Sequence, residues 1–171
     1  MNPFKNIQIL GEFIKKKLVK FFGRLFTRND FLIGNFAKIH RFLFKISKGK
    51  ILGILGGLPV LVLVTKGRKT NLPRENPLVY LRKDDRIIII ASKGGSDNHP
   101  QWYLNILNNS DVEILINGKR IKVNVHICTD KEKALLWPEI VEFYSGYQRY
   151  QSLTKRNIPV LQLTSEGIKT I

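Results

Sequence analysis

Residues 111–128, DVEILINGKRIKVNVHIC, contain the pattern that decides the fold. Apolar and polar residues alternate on both sides of Asn117-Gly118, and a period of two is typical of strands with one buried face. An Asn-Gly pair favours the positive φ angles of a two-residue hairpin turn. The stretch therefore predicts an antiparallel hairpin with strands at 111–117 and 120–128.

The sequence on either side of this hairpin predicts more short strands and few helices. Short strands with hairpin links favour an antiparallel barrel with helices over a doubly wound sheet, and neither G-x-G-x-x-G nor a Walker loop is present. Pro138 is expected to kink or split the second helix. The predicted strands are 60–65, 78–82, 86–92 and 158–164, the helices are 98–108 and 130–144 (capped by Thr129 or Asp130), and 53–59 and 66–77 form a turn and a polar loop.

The N-terminal third of the chain is strongly basic. The 171 residues carry a net charge of +16, and residues 1–50 alone have 12 Lys and Arg against Glu12 and Asp30, a net +10. Apolar residues recur there at spacings of three and four, which is typical of amphipathic helices in the interface of an anionic membrane. The alternative is that these helices pack on the barrel. We divide the chain into a basic helical segment, 1–50, and a barrel domain, 51–171.

The charge pattern also bears on partners and location. Basic residues concentrated on amphipathic helices, without interleaved aromatics on a β face, argue against nucleic acid. A single cysteine, Cys128, fits a reducing compartment and sits in an apolar alternation that predicts a buried, inert thiol. We expect a cytoplasmic protein, peripheral on the inner face of the cell membrane.

Two clusters have the composition of a ligand site. The loop around Gly67 has five basic or hydroxyl residues that can bind a phosphate, the alternative being a solvated basic turn. The second cluster, ASKGGSDNHPQWYLN (91–105), ends a strand with small residues that admit a ligand to the backbone. Trp102 and Tyr103 can form a flat wall there or pack in the core. No metal site is expected, since His99, His40 and His126 have no carboxylate at a suitable spacing.

Three tyrosines form the third cluster. Tyr144, Tyr147 and Tyr150 recur every three residues, so a helical turn places them on one side. Their phenols can donate hydrogen bonds or protons to a carbonyl that is being reduced, or they can form an aromatic packing face. Gly146 interrupts the helix between them and favours the rim of a pocket.

These clusters, in this order, resemble the deazaflavin (F420)-dependent nitroreductase and quinone reductase family of split β-barrel, FMN-binding-like proteins. The resemblance covers about residues 55–164. It implies an α+β, mostly antiparallel split β-barrel and an oxidoreductase that transfers a hydride from F420H2 to a quinone-like or nitroaromatic acceptor. The matching stretches are GRKTNLPRENPLVYLR (67–82), ASKGGSDNHPQWYLNI (91–106), LLWPEIVEFYSGYQRYQSLT (135–154) and IPVL (158–161).

The resemblance also implies roles for individual residues. The cofactor's anionic tail would lie on the basic loop and the following strand, its ring beside the strand end at Ser92, and the acceptor beside the tyrosines. Catalytic roles fall on Tyr147, Ser92, Tyr144 and Tyr150. Cofactor-binding roles fall on Arg68, Lys69, Thr70, Arg74, Glu75, Asn76, Pro77, Leu78, Val79, Ile90, Ala91, Ser92, Lys93, Gln101, Trp102, Tyr103, Leu104, Asn105 and Tyr147.

The sequence departs from the family pattern at two loop positions. Lys66 stands where a Thr is frequent and adds charge beside the phosphate site. Asn71 stands where a Gly is frequent, and asparagine tolerates the left-handed conformation. FMN in place of F420, or a non-catalytic membrane-tethered cofactor-binding module, remain alternative interpretations, and the oligomeric state stays open.

Overall fold

The computed structural model describes residues 54–55 and 58–170. The predicted helices of residues 1–50 lie outside this range. A 3₁₀ turn, Lys93–Gly95, follows the fourth strand. The other elements are β1 (Ile54–Leu55), β2 (Leu58–Lys66), β3 (Pro73–Lys83), β4 (Arg86–Ile90), α1 (Gln101–Asn108), β5 (Val112–Ile116), β6 (Lys119–Ile127), α2 (Asp130–Phe143), α3 (Gly146–Ser152), β7 (Val160–Thr164) and α4 (Glu166–Lys169).

Six of the strands close into an antiparallel barrel. The strand order is β1-β2-β3-β4-β7-β6-β5, and β2 pairs with β5 as well as with β3. The pairing of β2 with β5 closes the sheet and leaves fewer exposed strand edges than an open sheet has. The predicted α+β antiparallel barrel is confirmed.

The β5–β6 hairpin forms as its sequence predicts. Ile116 pairs with Lys119 across the turn, where Asn117 and Gly118 have φ angles of 49° and 76°. Val112 and Ile114 are fully buried while the residues between them are partly exposed. The alternation thus places one face of the hairpin in the barrel interior.

Strand β4 separates two apolar cores. Side chains alternate between the faces of a strand. Ile87 and Ile89 therefore enter the barrel core with Leu61 and Leu163. Ile88 and Ile90 point the other way and pack under α2 and α3. Burial on both faces explains why the strand is an unbroken run of isoleucines.

Several predicted boundaries are wrong. Residues 73–77, predicted as loop, belong to β3. They pair only with β2, because the pairing of β3 with β4 begins at Tyr80, and a strand with one open edge tolerates prolines. Strand β4 ends at Ile90 instead of Ser92, and β7 begins at Val160 instead of residue 158.

Two further expectations about secondary structure are corrected. Helix α2 is not split at Pro138 and runs as one element to Phe143. Proline removes a single backbone donor, and burial of Ile140 beyond it keeps the second half packed. Ile54 and Leu55, predicted as turn, pair with the start of β2. In the described part of the chain, no helix has the length and hydropathy needed to cross a membrane.

Candidate functional site

The basic loop between β2 and β3 is a tight turn closed by its own backbone. The N–H groups of Thr70 and Asn71 donate to the Gly67 carbonyl at 3.1 and 2.7 Å, and the Gly67 N–H donates to Leu72. Asn71 has the expected left-handed φ of 56°. Space around Gly67 is tight, because a Cβ there would lie 3.0 Å from Thr70 Oγ1 and 3.2 Å from the Leu72 carbonyl oxygen.

Hydrogen bonds fasten this loop to helix α1. Arg68 Nη1 donates to Gln101 Oε1 at 2.8 Å, and the Arg68 N–H donates to Asn105 Oδ1 at 3.2 Å. The Asn105 amide in turn donates to Thr65 Oγ1 at 3.1 Å, inside the protein. The structure therefore brings together two predicted cofactor-binding segments that are more than thirty residues apart in sequence.

The loop presents its cationic groups to solvent. Lys66, Lys69 and Arg74 are exposed and Arg68 is partly buried. Arg74 Nη2 donates to Thr70 Oγ1 at 3.0 Å, which orients one guanidinium along the loop. A rim of oriented cations and hydroxyl groups can bind phosphate or carboxylate groups through charge-assisted hydrogen bonds.

The predicted residues Glu75 to Val79 lie on β3, between the basic loop and the end of β4. All five are partly buried, and Leu78 packs against the barrel core. Tyr80 pairs with Ile89, so Val79 and Ile90 are the next residues along their two strands. Strand β3 thus runs from the basic loop to the strand end.

The chain turns sharply where β4 ends. Lys93, Gly94 and Gly95 have consecutive positive φ angles of 47°, 63° and 81°. A Cβ on Gly95 would lie 2.8 Å from the Tyr150 carbonyl oxygen, so this turn passes directly beside α3. The Ser92 segment and the tyrosines, predicted separately, are thus neighbours.

The three tyrosines form one edge-to-face cluster. Tyr144 ends α2, while Tyr147 and Tyr150 lie in α3, and their ring centroids are 5.1 to 6.2 Å apart. The hydroxyls of Tyr144 and Tyr150 are 3.0 Å apart and share a hydrogen bond. A Cβ on Gly146 would lie 2.2 Å from the Tyr144 ring, so the glycine makes room for that ring.

Burial makes ionisation of these phenols still less favourable than in an ordinary tyrosine. Desolvation is the main cause that raises the pKa of Tyr144, Tyr147 and Tyr150 above the ordinary value of a tyrosine. Tyr147 is only 5% exposed. None of the described residues forms a hydrogen bond with the Tyr147 hydroxyl, whereas buried polar groups almost always have a partner. A ligand bound at this cluster could accept a hydrogen bond from the Tyr147 hydroxyl.

Of the two alternatives for Trp102 and Tyr103, a flat wall or core packing, the structure shows core packing. Trp102 and Tyr103 are buried in the barrel core, with ring planes at 87° to each other, and Leu104 packs against the same core. Helix α1 turns its apolar side inward because the barrel interior is the larger apolar surface available to it. The polar residues of this segment, Gln101 and Asn105, contact the basic loop instead.

One histidine has a carboxylate and a thiol beside it, which the spacing in sequence did not indicate. Glu132 Oε1 lies 2.9 Å from His126 Nε2, and the ligand atoms of His126, Cys128 and Glu132 lie within 4.8 Å of one another. The Glu132 carboxylate also accepts from the Thr129 backbone as part of a helix cap. Cys128 is half-buried rather than buried, and desolvation raises the pKa of its thiol.

Sequence reasoning missed Arg156. Its side chain reaches the backbone of the Ser92 segment, 64 residues away in sequence. The sequence around Arg156 gave little indication of a functional role, since Arg156 is one basic residue in the polar segment between α3 and β7. Only its place just before the buried strand β7 pointed to a constrained side chain.

Together these features fit a cofactor with a flat ring and an anionic tail. The closed antiparallel barrel, the cationic loop and the turn beside buried phenols define the class as split β-barrel proteins that bind a flavin-like cofactor. A solved F420-H2 dependent reductase is 31% identical and aligns with a TM-score of 0.56 over 61% of this chain and 93% of its own. A domain-swapped dimer is 28% identical with a TM-score of 0.59, over 74% and 93% of the two chains.

The sequence comparisons give the family. The model of the F420H(2)-dependent quinone reductase family matches residues 37–165. An F420H(2)-dependent quinone reductase of Mycobacterium tuberculosis (strain ATCC 25618 / H37Rv) is 40% identical over 131 residues, 74% of this chain and 88% of the relative. The chain belongs to the F420H(2)-dependent quinone reductase family. It is an oxidoreductase, and coenzyme F420 is its cofactor.

Proposed function

We propose that this protein transfers a hydride from F420H2 to a quinone-like acceptor, with nitroaromatic compounds as further acceptors, at the surface of an anionic membrane. The observation that carries the proposal is the buried Tyr147 hydroxyl, which lacks a hydrogen-bond partner among the described residues and lies in a cluster beside the turn that follows Ser92. The M. tuberculosis relative bears the name of a quinone reductase, which supports the acceptor class.

The arrangement of this chain's residues supports a division of roles. Arg68, Lys69 and Arg74 would hold the anionic tail, and the backbone from Ile90 to Lys93 would hold the ring. When bound, F420H2 supplies the hydride, and the protein supplies orientation and charge. Negative charge then develops on the acceptor's oxygen.

The tyrosines have the properties that this oxygen requires. A phenol that stays protonated can donate a hydrogen bond to the oxygen as its charge grows, and the interaction strengthens in a site that excludes water. Tyr147 has its donor available, while Tyr144 and Tyr150 hold each other's hydroxyls in place. The hydroxyl of Ser92, the residue just before the turn, is a second candidate donor.

The membrane part of the proposal rests on the N-terminal sequence. A net charge of +10 on residues 1–50, combined with helical periodicity, favours the anionic inner face of the cell membrane. Quinones with lipid tails are dissolved in the bilayer, so a barrel held at its surface would meet them by diffusion within two dimensions.

Turnover with purified protein tests the proposal. Reduced F420 and a soluble quinone are mixed with the enzyme, and reoxidation of the coenzyme is followed by its absorbance, while FMN is titrated in parallel. We expect F420 binding and quinone-dependent reoxidation. Tight FMN binding without F420 binding would favour the FMN-dependent oxidoreductase, and F420 binding without turnover on any acceptor would favour a non-catalytic cofactor-binding module.

A further inference from the structure

Arg156 connects the end of α3 to the turn that follows β4. Its Nε donates to the Ser96 carbonyl at 2.7 Å. Its Nη2 donates to the carbonyls of Ser92 and Ala91 at 2.7 and 3.1 Å, and its Nη1 lies 3.3 Å from His99 Nδ1. All three guanidinium nitrogens are therefore engaged with the segment from Ala91 to His99.

The same segment also makes hydrogen bonds of its own. Inside the segment, the Gly95 N–H donates to the Ser92 carbonyl and the Ser96 N–H to the Lys93 carbonyl, each at 3.1 Å, and the Asn98 N–H donates to Ser96 Oγ at 3.4 Å. The positive φ angle of Lys93, a non-glycine residue, is strained, and such strain persists only where the surroundings enforce it. The Arg156 guanidinium can enforce this conformation, because it donates hydrogen bonds to three carbonyl oxygens of the segment, those of Ala91, Ser92 and Ser96.

The backbone of Arg156 is held as firmly as its side chain. Gln151, in α3, donates its amide to the Arg156 carbonyl at 2.9 Å and accepts from the Ile158 N–H at 3.0 Å. Helix α3 also holds Tyr147 and Tyr150. One residue therefore links the Ser92 segment to the helix of the tyrosines.

The electrostatics suit a structural cation. Desolvation lowers the pKa of Arg156, and the negative charge of Asp97 opposes that effect. Burial and then Arg156 lower the pKa of His99, so the imidazole is neutral near pH 7 and can accept from Nη1. A lysine cannot reproduce this fork of donors, because an ammonium is a single point of charge.

We propose that Arg156 is a positioning residue that locks the Ser92 turn against the tyrosine helix and thereby sets coenzyme affinity and turnover. The coenzyme part rests on the proposed function, in which the ring of F420 lies beside this turn. The locking of the turn does not rest on the proposed function, since it is a property of the coenzyme-free protein.

Hydrogen exchange of the coenzyme-free protein tests the locking step. The Gly95 and Ser96 amides report on the turn directly, because they make its two internal backbone–backbone hydrogen bonds. In Arg156→Lys we expect both to exchange at least about tenfold faster, since local opening governs their exchange. Arg120→Lys changes an exposed side chain on β6 that pairs with Glu113, and this matched control should leave both rates unchanged. Unchanged rates in Arg156→Lys would overturn the proposal.

Binding and turnover test the second step. With Arg156→Lys we expect the Kd for F420 to rise about tenfold or more and kcat to fall, with wild-type values for Arg120→Lys. Guanidinium chloride at low millimolar concentration should partly restore the activity of Arg156→Ala, while sodium chloride at the same concentration should not. A variant that had generally lost its fold would not be restored in this way. Faster exchange with unchanged F420 affinity and kcat would overturn the positioning role. If wild type does not bind F420, the proposed function fails while the exchange result still decides the locking step.

Discussion

Tyr147 combines three properties that rarely coincide in one residue: nearly complete burial, a raised pKa and no hydrogen-bond partner among the described residues. An unsatisfied buried hydroxyl costs free energy, so its retention in the fold favours a functional role. We expect Tyr147→Phe to lower kcat for quinone reduction about tenfold or more, as the loss of a proton or hydrogen-bond donor does. Steady-state kinetics with F420H2 in excess measure it.

The matched control for this change is Tyr80→Phe. Tyr80 lies on β3, packs against the barrel core and also has its pKa raised by burial. We expect its loss of a hydroxyl to leave kcat unchanged. Equal kcat values for Tyr147→Phe and wild type would remove the Tyr147 hydroxyl from the mechanism.

Gly95 is required by two independent constraints. Its φ is +81°, and a Cβ would lie 2.8 Å from the Tyr150 carbonyl oxygen and 3.0 Å from Leu153 Cβ. We expect Gly95→Ala to lower the free energy of unfolding by about 2–3 kcal/mol. Gly118→Ala, at the exposed hairpin turn with φ +76°, isolates the backbone cost and should lose about 1 kcal/mol. Urea unfolding of both variants checks this, and equal losses would mean that Tyr150 imposes no constraint.

Helix α2 begins with a capping box that is tied to the barrel. Glu132 accepts from the Thr129 N–H at 2.7 Å and Oγ1 at 2.9 Å, and lies 2.9 Å from His126 on β6. The Thr129 backbone bond, and then His126, lower the pKa of Glu132 from 4.5 to about 2. The ionised carboxylate thus joins the first turn of the helix to the neighbouring strand.

This cap predicts a pH-dependent stability. A carboxyl whose folded pKa is lowered stabilises the fold above its unfolded pKa, and this contribution disappears as pH falls from about 4.5 toward 2. We expect Glu132→Gln to have a lower Tm than wild type at neutral pH and the difference to narrow over that range. Glu142→Gln, which removes an exposed charge from the same helix, should show no such narrowing. A difference that stays constant with pH would contradict the linkage.

At the scale of the whole molecule, we expect residues 1–50 to attach the barrel domain to an anionic membrane. Replacing Lys15, Lys16 and Lys17 by Gln in the full chain should weaken binding to anionic vesicles by on the order of a hundredfold, since each cation near such a surface contributes about 1 kcal/mol. Vesicle sedimentation measures this. Replacing the exposed barrel residues Lys119, Lys131 and Lys155 removes the same charge and should have little effect. Equal binding by both triple variants would contradict membrane attachment through residues 1–50.

Features formed by residues close in sequence were accessible to prediction. The Asn117-Gly118 hairpin and the Thr129 cap were predicted correctly, because a turn or a helix start depends on the conformations and hydrogen bonds of neighbouring residues. The left-handed Asn71 belongs to the same group. The three clusters that carry the family resemblance are each contiguous in sequence, and so they were also visible.

The features that depend on distant segments were decided by the tertiary structure. The pairing of β3 with β4 begins only at Tyr80, which leaves Pro73 and Pro77 at an open edge, and Trp102 packs in the core where the sequence also allowed a wall. The contacts of Arg68 with Gln101, and of Arg156 with Ser92, span 33 and 64 residues. Such contacts depend on strand register and helix orientation, which the whole apolar core sets. The sequence by itself determined the barrel class and the chemistry available, and packing determined which of those residues meet.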